Sequence, residues 1–92
     1  MAPLVTTTYI DHLLDQLTAT WSEVPDVAAE FPGWDLGERL NYTEEWPLYE
    51  DKLFQLNTFI KQGLLTATQQ ERYAELLELM ERNRSLRDQM LH

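Results

Sequence analysis

Apolar residues recur along this chain at spacings of three and four in three long stretches, and proline or glycine stands between them. In the first stretch Ile10, Leu13, Leu14, Leu17, Trp21 and Val24 line one side of a helix expected over about residues 8–23, opening near Thr7 or Thr8 and closing before Pro25. In the second, Trp46, Tyr49, Leu53, Leu56 and Ile60 make a continuous stripe that Phe54 and Phe59 widen, which predicts a helix over 44–62. Thr43 is its expected cap, Pro47 falls in its first turn, and Gly63 supplies the left-handed residue that stops it. This is the best-specified part of the chain, and the rest is expected to pack around it. Thr66 with Gln69 has capping-box spacing and opens a third helix over 67–91. Ser85 with Asp88 repeats that spacing, so a break or kink near Asn83–Ser85 is an open alternative.

Between the first two helices, residues 25–42 hold Pro25, Pro32, Gly33 and Gly37, which argues for one or two short helical turns, at 26–30 and 35–40. The whole reads as all-α: a small bundle of three main helices with a short aromatic-rich helical connection, the C-terminal pair forming a helical hairpin. At 92 residues it is expected to be one domain, 1–92, with stability that is modest or shared with a partner. The Gly63-Leu64-Leu65-Thr66 corner resembles the helical hairpin of short C-terminal oligomerisation modules of the SHOCT type, with Gln69 and Gln70 where acids are usual there. Any tight helical hairpin with a glycine stop and a threonine start would share that corner, and it identifies no family here.

Charge changes the picture most. Residues 1–51 carry eleven acids and one base, Arg39, whereas residues 52–92 carry five acids and six bases, so the net −9 lies entirely in the first half. Such a field repels nucleic acid and anionic lipid and attracts basic surfaces. Eight of the ten aromatic residues fall between Trp21 and Phe59, so the connection reads as a packed plug in which Phe31 and Trp34 lie against the long helices.

Candidate chemistry is sparse. There is no cysteine, the glycines are isolated, and neither Ser22 nor Ser85 has a histidine or a nucleophile elbow nearby. Asp11, His12 and Asp15 bring two carboxylates beside an imidazole, but a solvated polar face explains them better than a metal site. The chain is not expected to be an enzyme and no cofactor is expected. Arg72, Arg82, Arg84 and Arg87 are interleaved with acids, so direct nucleic-acid binding is not expected; the Arg82–Arg87 end could instead pair with the acidic half of another copy. With no apolar run of membrane length and no leader pattern, no membrane association is expected and the localisation reads as cytoplasmic, which makes the two N-x-S/T sequons at Asn41 and Asn83 chance matches.

The expectation is therefore a small acidic protein-interaction module, an inhibitor or adaptor of the antitoxin, immunity or anti-defence type. Its N-terminal half would dock on a basic protein through Asp11, Asp15, Glu23, Asp26, Glu30, Asp35 and Glu38, with Phe31 and Trp34 as anchors. A second reading is a self-associating helical-hairpin module, with a homodimer formed through Tyr73, Leu76, Leu79, Met80 and Leu86 because the last helix carries two apolar stripes. A third is a DNA mimic that occupies the groove of a nucleic-acid-binding protein.

Overall fold

The structure, a computed structural model, describes residues 3–91. Three long helices account for most of it: α1 (Leu4–Glu30), α2 (Leu36–Lys61) and α3 (Ala67–Leu91), with a single 3-10 turn at Phe31–Gly33 between the first two. No strand occurs among the described residues, and the fold is all-α. The molecule is elongated, 47 × 22 × 17 Å, as three helices of similar length laid side by side must be.

α1 is the organising element, in place of α2. Its stripe Ile10, Leu13, Leu14, Leu17, Trp21 and Val24 is buried from end to end, whereas α2 buries only Trp46 and Leu56 completely. α1 packs most closely against α3 and also against α2, while the backbones of α2 and α3 approach each other less closely. Two-sided burial needs apolar positions on a broad arc, which α1 has. One-sided packing leaves Tyr49, Leu53 and Ile60 of α2 only half-buried, and Phe54, expected to widen its stripe, points into solvent.

α1 also outruns its expected limits. It starts at Leu4 without a side-chain cap and passes through Pro25, where it was expected to stop. Proline in a helix leaves the carbonyl four residues back without its donor. That carbonyl belongs to Trp21, and the buried Asn83 of α3 donates its Nδ2 to it at 3.3 Å. The α1 helix can therefore continue to Val27 and Ala28, which pack against the core. The same bond accounts for Asn83: it is a buried partner of Pro25, α3 runs unbroken through it, and its sequon has no room for a glycan.

α2 begins eight residues earlier than the spacing from Thr43 implied. Asp35 is its cap: Glu38 N donates to Asp35 Oδ1 at 2.8 Å and Asp35 N donates to Glu38 Oε1 at 3.4 Å, a complete capping box. Thr43, already inside the helix, donates its hydroxyl to Arg39 O at 2.9 Å. Gly37 had suggested a bend, yet in a first turn it is tolerated. Pro47 accordingly lies mid-helix, on the exposed side.

The α2–α3 corner forms as its residues dictate. Gly63 has φ +71°, and Leu64 N donates to Phe59 O (3.1 Å) while Gly63 N donates to Ile60 O (3.0 Å), the paired bonds of a Schellman stop. Thr66 and Gln69 then exchange capping bonds, Gln69 N to Thr66 Oγ1 at 3.1 Å and Thr66 N to Gln69 Oε1 at 2.9 Å. Gln69 is buried and also donates Nε2 to Thr7 O (3.1 Å) and Asp11 Oδ1 (2.9 Å), which ties α3 to α1. A glutamate would fill the same cap but has no donor to spend on α1, so the amide is required here.

Candidate aromatic and acidic interface

The aromatic residues from Trp21 to Tyr49 form one connected row along the seam of α1 and α2. Trp34 meets Phe31 (5.7 Å between ring centroids) and Tyr42 (5.9 Å); Tyr42 meets Trp46 (6.0 Å), which meets Tyr49 (5.7 Å) and Trp21 (5.0 Å), mostly edge to face. Helical spacing puts Tyr42, Trp46 and Tyr49 on one face of α2 opposite Trp21. The connection is thus a packed plug, held by Arg39, which donates to Phe31 O (3.2 Å) and Pro32 O (2.7 Å) and lies over the Phe31 ring.

Arg87 of α3 lays its guanidinium against both Trp21 and Trp46, 5.0 and 5.1 Å from their ring centroids, with only 18% of the side chain exposed. Asp88 accepts from it at 2.8 Å and Glu50 stands 3.8 Å away. It is the only base of the Arg82–Arg87 end so enclosed among the described residues; Arg84 pairs with Glu81 on the surface. The expected pairing of that end with another copy therefore has Arg87 already engaged within its own chain.

At its outer end the row opens into a groove of about 270 Å³ lined by Trp34, Glu38, Asn41, Tyr42 and Glu45. Trp34 and Tyr42 are half-buried with their planes at 78°, and both carboxylates are exposed. Burial pushes the Tyr42 phenol above its ordinary pKa, the neighbouring Trp46 indole works the other way, and the charge of Glu23 adds to the rise. Glu23 thus contributes to the field at this end. Ring faces beside carboxylates, with Arg39 turned to the backbone carbonyls, form a setting for a cationic side chain. A larger hollow of about 570 Å³ on α3, between Glu81 and Gln89, contains no aromatic, and its Arg84 is paired with its Glu81.

The residues expected to bind a partner divide into three sets. Asp11 and Asp15 face α3, where Arg72 bridges both and Gln69 donates to Asp11, so they are engaged internally. Glu23, Asp26 and Glu30 are exposed along the last turns of α1. Phe31 and Trp34 are half-buried in the plug, and Asp35 and Glu38 cap α2 while remaining exposed. Tyr42, Asn41 and Glu45, which line the groove with Trp34 and Glu38, are not among the expected residues. They follow Glu38 at i+4, i+3 and i+7, a pattern visible only once α2 is known to start at Leu36. Of the residues expected to mediate self-association, Leu76 and Met80 are buried in the chain's own core, and Tyr73, Leu79 and Leu86 pack against it. Tyr73 also donates to Asn57 Oδ1 of α2 at 2.7 Å. α1 is the second surface that the two stripes of α3 required.

His12 is exposed, and His92 lies outside the described residues. Among the described residues no cluster of three or more histidine and acidic side chains could hold a metal ion, and no helix is long and apolar enough to cross a membrane. Comparison with protein families, curated proteins and solved structures gives no match.

Proposed function

We propose that the protein is a small acidic interaction module, an inhibitor or adaptor of the antitoxin, immunity or anti-defence kind, whose N-terminal half docks on a basic protein surface. The observation that carries this reading is the groove in which the planes of Trp34 and Tyr42 stand at 78° beside Glu38 and Glu45, on a molecule that also exposes Glu23, Asp26 and Glu30 along the last turns of α1. A lysine or arginine entering it would meet ring faces and carboxylates together, and the surrounding acids would steer the approach.

The test is affinity capture from native lysate at rising salt, with Trp34→Ala and Glu45→Gln variants alongside the natural chain. Expected is a basic protein whose retention falls with salt and which both variants lose. Recovery of no protein, or of an acidic protein held regardless of salt, overturns the reading.

A further inference from the structure

α2 carries a second surface that the fold leaves uncovered. Leu36 (72% exposed), Leu40, Pro47 and Phe54 (71% exposed) all point to solvent. At 100° per residue they fall within roughly 40° of one another and run about 27 Å along the helix. Exposed Glu44 and Asp51 interleave with them, giving the order Leu40, Glu44, Pro47, Asp51, Phe54 at spacings of four and three. Single exposed apolar residues need no explanation, but an aligned strip of this length alternating with carboxylates is a patterned surface.

We propose that this outer face of α2 seats a basic amphipathic helix of a partner protein, with apolar side chains on Leu36, Leu40, Pro47 and Phe54 and lysine or arginine on Glu44 and Asp51. Charge decides the occupant. A second copy laid antiparallel on the strip would bring Glu44 and Asp51 against their own counterparts, and anionic lipid or nucleic acid meets the same repulsion. No base lies within the strip: Arg39 is bound to Phe31 and Pro32 carbonyls, and Lys52 lies over the Tyr49 ring. The other exposed apolar patch, Leu4, Val5 and Tyr9 with Thr8 and His12, has no carboxylate among the residues lining it and so selects no partner charge. The seat shares the basic-partner premise of the function proposed above. It lies roughly half a turn around α2 from Glu38, Tyr42 and Glu45, so the two surfaces can be tested apart.

The probe is a synthetic helical peptide of three heptads with leucine at both apolar positions and lysine at the flanking ones, titrated into the isotope-labelled protein and followed by amide chemical shifts. Expected are shifts gathered over the exposed positions of residues 36–54, affinity falling about tenfold or more in Leu40→Ala/Phe54→Ala, and a shallower salt dependence in Glu44→Gln/Asp51→Asn. All four side chains are exposed, so these variants keep the core; circular dichroism checks that they do. A matched peptide with glutamate for lysine should not bind. The seat is overturned by an absence of shifts, by equal binding of the glutamate peptide, by shifts spread over every acidic position and unaffected by Leu40→Ala/Phe54→Ala, or by self-association through the strip without peptide. Shifts confined to the Trp34 groove overturn it while leaving the proposed function standing. Binding at the strip by a protein that captures no basic partner from lysate does the reverse.

Discussion

Asn83 shows how much of this fold rests on single polar bonds between distant residues. It donates to the Trp21 carbonyl that Pro25 leaves free, so Asn83→Ala buries an unpaired carbonyl and is expected to cost about 1–3 kcal/mol. Pro25→Ala restores a backbone N–H at that place. In a Pro25→Ala background the Asn83→Ala cost should shrink markedly, measured by urea denaturation of all four chains; equal costs in both backgrounds would dissociate the two residues. Tyr42 yields a pH prediction. Its phenol titrates higher in the fold than in the open chain, chiefly through burial. Below its unfolded pKa of about 10 both states hold the proton and stability is unaffected by this group. As pH rises past that value the unfolded chain ionises first, so stability falls until the folded pKa is passed. Tyr42→Phe should therefore flatten the alkaline limb of stability against pH, and an unchanged limb would clear Tyr42 of responsibility.

At the scale of elements, what was legible was local. Gly63 and the Thr66–Gln69 pair mark the α2–α3 corner because their hydrogen bonds close within five residues. The Asp35–Glu38 box was equally local, but Gly37 and the aromatic plug drew the boundary of α2 toward Thr43. Asp35→Ala should cost about 1 kcal/mol and raise amide exchange over the first turns of α2, leaving α3 unchanged. A variant of equal stability with unaltered exchange would return the start of α2 to Thr43. The extension of α1 past Pro25 was not legible, since the donor that permits it, Asn83 of α3, lies 62 residues downstream of the Trp21 carbonyl it serves.

For the whole molecule, the two apolar stripes of α3 need two covering surfaces, and periodicity alone does not say whether the second belongs to another copy or to α1 of the same chain. Leu76 is 1% exposed within the chain's own core. Leu76→Ala is accordingly expected to destabilise by about 2–5 kcal/mol, with a denaturation midpoint independent of protein concentration. A midpoint that rises with concentration would place Leu76 in an interface between copies. Helix type, the corner at Gly63 and the acidic bias of the first half were determined by the sequence by itself, because propensity, capping and charge act within a few residues or simply add. Which helix is central, which acids are engaged by Arg72, where Arg87 is lodged and which side of α2 stays open were decided only by tertiary structure. Each depends on which faces meet across the bundle, and periodicity records that a face is apolar without recording what covers it.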